Sequence, residues 1–266
     1  MEENINQNQR AFATWEVLKN CAVQKQSITY KELGEQIDIH HRAIRIPLHI
    51  IQNYCLENEL PPLSILVFNQ ITGLPGDGFI AYDIENSLDG INKVYDFNWV
   101  DVQNPFLYAK DGVTQTQLID DIIRFPEKSV EVFAKIKVRG ISQQIFRKAL
   151  LKVYKCSCAI CGFTYEEALE ASHIVSYSQA NSEQRLDVRN GLLLCSIHHK
   201  LFDSGCITIN QDYSIEWSLV NKKPKKQGNY DSLMTTDLHR KLLKLPLDEK
   251  HLPNKKYLQK HQKSFK

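Results

Sequence analysis

Apolar side chains recur at three- and four-residue intervals along the first part of the chain, which is the spacing of one buried face of an α-helix. The segments with this pattern are Ala11 to Cys21, Ser27 to Ile37 and Arg42 to Leu60. Pro47 lies within the third segment, and a proline inside a helix removes a backbone hydrogen bond. We therefore expect the third helix to begin at Pro47 or to kink there.

The pattern changes after Pro61-Pro62. Leu63 to Phe68 (LSILVF) is rich in residues that favour β-strands, and the glycines and proline of residues 71–79 (ITGLPGDGF) predict a turn that leads to a second short strand. Three helices followed by a strand, a Gly-rich wing and a strand make up a winged helix. The sequence thus predicts a winged-helix-like N-terminal domain.

The next part of the chain predicts the domain boundary. Thr114 to Phe125 has the pattern of an amphipathic helix, with Phe125 among its inward positions. Pro126 breaks this pattern, and we place the boundary close to it. The predicted domains are therefore 1–126, which we expect to bind DNA and provide specificity, and 137–266.

Short apolar segments separated by turns follow the first helix of the second domain, Arg139 to Tyr154. Strands are expected over four segments: Ala168 to Val175, Leu192 to Leu194, Ile207 to Ile209 and Ile215 to Trp217. A short helix, Ser196 to Asp203, follows the second strand and ends at Gly205, which can adopt a left-handed cap. Strand, loop, strand and helix give a ββα arrangement, so the predicted fold class of the whole chain is α+β.

Composition limits the class of protein to which these elements belong. Of the 266 residues, 42% are hydrophobic and 24% are charged, which is typical of a soluble globular protein. The N-terminus has no signal-peptide pattern, and no uncharged apolar stretch reaches about 18 residues, so we expect a cytoplasmic protein without membrane contact. Thiols stay reduced in that compartment. The seven cysteines, four of them between positions 156 and 195, therefore indicate metal binding rather than disulfides.

Two short metal-binding motifs account for these cysteines. Cys158 and Cys161 form a C-x-x-C pair, and Cys195 and His198 form a C-x-x-H pair after 33 intervening residues. Each pair can present two ligands from a tight turn, and two pairs complete a tetrahedral zinc site. Cys156 is an alternative to Cys158, although the two-residue gap between Cys158 and Cys161 suits the turn better. The sequence therefore predicts a structural zinc ion.

The C-terminal part of the chain is basic. From Asn221 to Lys266, twelve Lys and one Arg stand against three Asp and one Glu, although the net charge of the whole chain is only +2. Lysines that neutralise phosphates release counterions, so this segment is consistent with nucleic-acid binding. A lysine-rich surface that serves solubility explains the same charges, and charge alone does not separate the two interpretations.

The second domain resembles the HNH endonucleases with the ββα-metal fold. The resemblance extends over residues 139–266 and is closest to the branch with the motifs FR-x-x-LL, A-H-I, NGLLL and H-x-LFD-x-G. In this chain the corresponding residues are Phe146-Arg147 with Leu150-Leu151, Ser172-His173-Ile174, Asn190 to Leu194, and His199 to Gly205. The segment LPLDEKHLPNKKYLQKHQKSF at 245–265 is also similar to the tail of that branch.

The resemblance implies a role for each motif residue. His173 would act as the general base that takes a proton from water, because an imidazole titrates near neutral pH. Asn190 would orient the loop that faces His173. His199 would bind a catalytic Mg²⁺ or Mn²⁺ ion, and Asp203, one helical turn later on the same face, is a candidate second ligand.

One position departs from the pattern of many HNH nucleases, which have a metal-binding Asp immediately before the first His. In this chain that residue is Ser172. A carboxylate from elsewhere must then complete the metal site. The candidates are Asp203 and Glu170, which alternates onto the same face of the strand as Ser172.

The N-terminal domain is similar, over about 50 residues, to the DNA-binding domain of the alkyltransferase-like proteins. The shared features are ITYKELG at 28–34, Arg42-Ala43-Ile44, and Leu60-Pro61-Pro62-Leu63. The reactive Pro-Cys-His-Arg of that family is absent, since residues 64–67 read Ser-Ile-Leu-Val, so repair chemistry is not implied. The similarity implies DNA contact by Arg42 and Arg45, for which ordinary surface positions are the alternative.

These features together predict a metal-dependent endonuclease that cuts double-stranded DNA, and its architecture fits restriction or defence against foreign DNA. A homodimer would allow one active site to cut each strand. The alternatives are a zinc-stabilised DNA-binding protein that does not cleave, and a nuclease that acts on RNA.

Overall fold

The computed structural model describes residues 5–76, 78–136, 138–218 and 228–265. The chain divides into two compact units, 1–115 with 136–140, and 116–135 with 141–266. Residues 116–126, which the sequence analysis placed in the first domain, belong to the second unit. None of the described helices has the length and apolar character needed to cross a membrane.

The first unit is mainly helical. Its helices and strands are α1 (Gln7–Val23), β1 (Ile28–Thr29), α2 (Tyr30–Gln36), α3 (Arg45–Glu57), β2 (Val67–Phe68) and α4 (Ser87–Asp96). Short 3₁₀ helices cover His41–Ala43, Leu63–Leu66, Ile84–Asn86 and Leu107–Ala109. α3 begins at Arg45, which places Pro47 in its first turn, where a proline removes no helical hydrogen bond. The expectation that the third helix begins close to Pro47 is thus confirmed.

Aromatic side chains form the centre of this unit. Trp15 on α1 is fully buried and makes edge-on contacts with Tyr54, Trp99 and Phe106, with ring centroids 5.6, 6.0 and 6.1 Å apart. Such pairs bury large apolar areas and add about 0.5–1.5 kcal/mol each beyond burial. They attach the segment after α4 to the α1–α3 pair.

The strand expected over Leu63 to Phe68 is largely wrong. Leu63–Leu66 is a 3₁₀ helix in which every side chain is buried, and only Val67–Phe68 is extended. A short apolar run without alternation does not distinguish a strand from a buried helical turn. β2 pairs in parallel with β1, and no strand occurs in the described residues between β2 and α4. The winged-helix prediction is therefore not confirmed.

The second unit contains the predicted ββα arrangement. Its elements are α5 (Gln115–Arg124), α6 (Ser129–Lys135), α7 (Arg139–Val153), β3 (Leu169–His173), β4 (Gly191–Cys195), α8 (Ser196–Asp203), β5 (Ile207–Ile209), β6 (Ile215–Trp217), α9 (Asn229–Met234) and α10 (Lys255–Lys263). Short 3₁₀ helices cover Pro126–Lys128, Glu166–Ala168, Val188–Asn190, Thr236–Leu238 and Glu249–His251. β3 and β4 pair antiparallel, as do β5 and β6, and α8 packs on the β3–β4 hairpin.

The positions of Phe125 and Gly191 were not predicted from the sequence. Phe125 is 41% exposed rather than inward, because the following Pro126 disfavours helical backbone at this residue. Gly191 lies so close to α7 that an added Cβ would be 2.6 Å from atoms of both Phe146 and Leu150. A larger residue would require the Phe146 and Leu150 side chains to shift, so the glycine allows the β3–β4 hairpin to pack closely on α7.

Candidate active site and metal centre

Three cysteines and a histidine converge at one end of the hairpin. Cys158 and Cys161 lie in the turn after α7, Cys195 ends β4, and His198 lies in the first turn of α8. The four ligand atoms lie within 4.8 Å of one another. The turn is held by hydrogen bonds from the Gly162 amide to the Cys158 carbonyl and from the Cys158 amide to the Phe163 carbonyl.

The distances in this group fit a tetrahedral ion. With Zn–S bonds of about 2.3 Å, neighbouring ligand atoms of a tetrahedral zinc site are roughly 3.8 Å apart. Cys161 Sγ and Cys195 Sγ are 3.9 Å apart, and Cys158 Sγ lies 3.7 Å from His198 Nδ1. The predicted ligand set can therefore hold a metal such as zinc. Cys156 is not part of the group.

The second nitrogen of His198 fixes the ring for metal binding. Nε2 lies 3.0 Å from the carbonyl oxygen of Met234, so Nε2 donates and Nδ1 is left to face the cysteines. Hydrogen bonds with Cys161 and Cys195 lower the pKa of the Cys158 thiol. Burial lowers the pKa of His198, but hydrogen bonds with the Cys158 and Cys195 thiols outweigh it and raise that pKa to about 9. Thiolate character is thus favoured at Cys158, whereas hydrogen bonds with Cys158 and Cys195 raise the pKa of the Cys161 thiol.

His173 lies at the end of β3, opposite Gly191, and its ring is held on several sides. Phe146 stacks on it with a centroid distance of 4.1 Å, and Tyr177 contacts it edge-on at 5.7 Å. His173 Nε2 lies 3.0 Å from the carbonyl oxygen of Arg185. Because a carbonyl only accepts, Nε2 carries the proton and Nδ1 is the basic nitrogen of the neutral imidazole.

Asn190 is fully buried and holds the loop that follows β3. Its Oδ1 accepts a hydrogen bond from the Val175 amide at 2.8 Å, and its Nδ2 donates to the carbonyls of Val175 and Gln184 at 3.2 and 3.0 Å. The Asn190 backbone carbonyl accepts from the Ile174 amide. These contacts fix the loop that carries Arg185, the hydrogen-bond partner of His173.

His199 lies between the two candidate carboxylates. Its Nδ1 contacts the Glu170 carboxylate, and its Nε2 lies 3.3 Å from Asp203 Oδ2. Burial raises the pKa of the Glu170 carboxyl, but hydrogen bonds with Ser196 and His199 outweigh burial and lower that pKa. The cluster of one imidazole and two carboxylates offers the nitrogen and oxygen ligands that Mg²⁺ or Mn²⁺ accepts.

Ser172 has no carboxylate to bind a metal, and Glu170 is the nearest acidic residue before it on β3. Ser172 is fully buried, and its Oγ has no hydrogen-bond partner among the described residues. Glu170 is two residues earlier on the same face of β3, and it is partly exposed beside α8. His173 follows Glu170 by three residues, so roughly 10 Å separates their Cα atoms.

The comparison with protein families assigns this part of the chain. Residues 158–210 match the model of the HNH endonuclease family. This region is an HNH endonuclease domain. The match runs from the first cysteine of the metal group into the residue after β5, so the HNH domain contains both the cysteine–histidine group and the His199 cluster. No curated protein matches the chain.

The structure adds HNH-domain residues that the sequence analysis missed. The Tyr177 ring contacts the His173 imidazole, and the Arg185 carbonyl accepts its Nε2 proton. Phe146, which was noted only as part of a motif, stacks on the same imidazole. Tyr177 comes four residues after His173, and this spacing alone does not predict a contact between the two rings. Stacking between Phe146 and His173 depends on how α7 packs against the hairpin, and no spacing in the sequence encodes that contact.

The predicted DNA contacts in the first unit lie together on one surface. Arg42 and Arg45 are exposed and line a cavity of about 670 Å³ together with His41, His49 and Tyr30. Neither arginine forms an ion pair with a carboxylate among the described residues. Their guanidinium groups are thus available to a negatively charged ligand.

Proposed function

We propose that the chain is a metal-dependent nuclease that hydrolyses phosphodiester bonds in double-stranded DNA. The observation that carries this proposal is the position of His199 between Glu170 and Asp203, on the helix that packs against the strand of His173. Phosphodiester hydrolysis needs a base for water and positive charge at the phosphate. The HNH domain offers a candidate residue for the first, and His199 with its neighbouring carboxylates offers candidate ligands for the second.

His173 is assigned as the general base. The Arg185 carbonyl holds the proton on Nε2, and Phe146 keeps the ring in one orientation, so Nδ1 can take the proton of an attacking water. The side chain of Asn190 forms its hydrogen bonds with backbone groups of the loop. It is a positioning residue, because its hydrogen bonds fix the loop that holds His173.

His199 and Asp203 are assigned as ligands of Mg²⁺ or Mn²⁺, and Glu170 as the carboxylate that orients His199. Asp203 is 60% exposed and reaches Nε2, whereas Glu170 is less exposed and contacts Nδ1. A carboxylate on the other nitrogen of a metal-binding imidazole fixes the ring and raises its basicity. The ion would stabilise charge on the phosphate and on the leaving oxygen. Cys158, Cys161, Cys195 and His198 would hold a structural Zn²⁺.

A binding protein that does not cleave is the second candidate, and the geometry favours it less. A zinc scaffold requires the three cysteines and His198, but it requires neither two carboxylates around His199 nor a clamped His173. Ionisable groups arranged around one half-buried imidazole are typical of catalytic sites.

Double-stranded DNA is proposed as the substrate because both units offer positive charge. Arg42 and Arg45 of the first unit have no carboxylate partner among the described residues, and lysines of the C-terminal segment add charge in the second unit. We propose a role in restriction or defence against foreign DNA, with a homodimer cutting both strands. The basic residues between positions 221 and 227 lie outside the described residues.

The proposed function is tested by incubating the purified chain with plasmid DNA and with structured RNA. The reactions contain Mg²⁺, Mn²⁺ or no added divalent ion. Cleavage of DNA that requires the added ion is expected, and His173→Ala should lower its rate by about 10²- to 10⁴-fold. His239→Ala removes a histidine outside the cluster and serves as the control, with a rate close to that of the unmodified chain.

Two results would contradict the proposal. Cleavage of RNA alone would show an RNA-directed nuclease. Absence of cleavage on every substrate, with DNA binding equal for the unmodified chain and His173→Ala, would favour the binding protein.

A further inference from the structure

The loop between β3 and β4 holds a cation whose charge the proposed mechanism does not use. The guanidinium carbon of Arg185 lies 4.9 Å from the ring centroid of Tyr177 and 5.3 Å from that of Phe133. The side chain therefore contacts a ring of its own loop and a ring of α6. Stacking of this kind fixes the plane of a guanidinium group and leaves its edge for hydrogen bonds.

The guanidinium group of Arg185 lacks a carboxylate partner in the described part of the chain. It forms no ion pair there, and its Nε is buried without a hydrogen-bond partner. A neighbouring arginine shows the contrast, since Arg189 donates to both carboxylate oxygens of Asp187 at 2.8 and 3.0 Å. The positive charge of Arg185, unlike that of Arg189, is therefore not neutralised by a neighbouring carboxylate in the described residues.

The position of Arg185 is tied to the proposed base in two ways. Its backbone carbonyl accepts the Nε2 proton of His173, and the Tyr177 ring below its guanidinium contacts the imidazole edge-on. The Tyr177 ring thus contacts both the guanidinium group of Arg185 and the imidazole of His173.

We infer that the Arg185 side chain binds a phosphate of the nucleic-acid backbone and thereby positions the scissile bond next to His173. The inference rests on the proposed nuclease function, and it adds a substrate-binding residue to it. A planar guanidinium matches phosphate oxygens, and an ion-paired hydrogen bond to phosphate is stronger than a neutral one. The aromatic rings would hold the fork in place before the substrate arrives.

The test compares Arg185→Met, which removes the charge and keeps a long side chain, with Arg185→Lys, which keeps the charge. Arg124→Met is the matched control, because it removes one exposed positive charge from the end of α5. Binding of a DNA duplex is measured over a range of salt concentrations, with Ca²⁺ in place of the catalytic ion so that cleavage does not interfere. Steady-state cleavage gives KM and kcat for the same variants.

Arg185→Met is expected to reduce the salt dependence of binding by about one phosphate contact. It should also lower kcat/KM by roughly 10- to 100-fold. Arg185→Lys should restore the salt dependence, and Arg124→Met should change neither quantity. A purely structural role predicts another result, in which Arg185→Met loses thermal stability and keeps the salt dependence of the unmodified chain. That result, or failure of Arg185→Lys to restore the salt dependence, overturns the inference.

These outcomes remain distinct from failure of the proposed function. If the unmodified chain binds DNA but cuts nothing, the nuclease proposal fails while the salt dependence still tests Arg185. If the unmodified chain cuts DNA and Arg185→Met matches it in both measurements, the inference fails alone.

Discussion

His199 touches a carboxylate at each ring nitrogen, and this arrangement decides what each carboxylate can do. A metal ion can take only one of the two nitrogens, so the carboxylate on the other side becomes a hydrogen-bond acceptor that orients the ring. Glu170 and Asp203 are chemically alike, and the different roles proposed for them follow from the nitrogen that each one faces and from the greater exposure of Asp203.

The roles proposed for the two carboxylates are distinguished by measuring Mn²⁺ binding with electron paramagnetic resonance. Asp203→Asn removes a proposed ligand and is expected to abolish saturable binding at millimolar Mn²⁺. Glu170→Gln should weaken binding by about 10- to 100-fold, which is typical for loss of an orienting partner. The reverse ranking would make Glu170 the ligand and Asp203 the orienting group.

Replacement of the two adjacent histidines on α8 is expected to affect different properties, namely zinc content and stability for His198 and cleavage for His199. His198→Ala removes a ligand of the cysteine–histidine group, so it should lower both the bound zinc and the midpoint of thermal unfolding. His199→Ala should retain zinc and the unfolding midpoint while cleavage is lost. Zinc content by atomic emission, calorimetry and plasmid cleavage measure the three quantities. Equal zinc loss in both variants would contradict the division of roles.

α10 stabilises the helix that carries these histidines. The His261 ring stacks on Phe202 of α8 with a centroid distance of 3.8 Å and an interplanar angle of 2°. Burial lowers the pKa of His261 from 6.5 to about 4. The folded chain therefore leaves His261 neutral over a pH range in which the unfolded chain protonates it.

This difference predicts a pH dependence of the free energy of unfolding. The contribution of His261 is fully present above pH 6.5, and it is lost as the pH falls from 6.5 to about 4. The full loss is roughly 3 kcal/mol, since one pKa unit corresponds to about 1.36 kcal/mol. His261→Phe keeps a ring on Phe202 and removes the titration. Urea unfolding at pH 7 and pH 4.5 should show a smaller loss for the variant, and equal losses would refute the assignment.

At the scale of elements, the sequence predicted well where a pattern is local. The helix over Ser196 to Asp203 and the paired strands at 207–209 and 215–217 are confirmed at the predicted residues. It predicted poorly where packing decides, as at Leu63–Leu66, whose buried side chains permit either a strand or a turn of helix. α4 was not predicted, because its buried positions Gly90 and Val94 give little apolar pattern.

The same distinction explains the candidate site. Metal ligands obey spacing rules, so Cys158, Cys161, Cys195 and His198 were readable from the sequence and meet in the structure. Contacts made across elements, such as Phe146 on His173 and His261 on Phe202, follow from the packing of distant segments. No local pattern encodes them.

At the scale of the whole molecule, the metal ligands all belong to the second of the two compact units. Extraction of zinc by a chelator is therefore expected to unfold the second unit and leave the first folded. Hydrogen exchange followed by mass spectrometry measures this in the intact chain. Peptides from β3, β4 and α8 should lose protection, while peptides from α1 and α3 keep it. Loss of protection in both sets would show that the units do not unfold independently.

The peptide bond between His198 and His199 joins the ligand group proposed for zinc directly to the group proposed for the catalytic ion. Thiolates react with peroxides, and a sulfenic acid at Cys158, Cys161 or Cys195 is a poor ligand for zinc. Oxidation at any of these sulfurs would release the start of α8 and move His199 away from Glu170. If the proposed nuclease function and the zinc site hold, oxidation of these sulfurs would lower cleavage, and a reductant with fresh zinc would restore it.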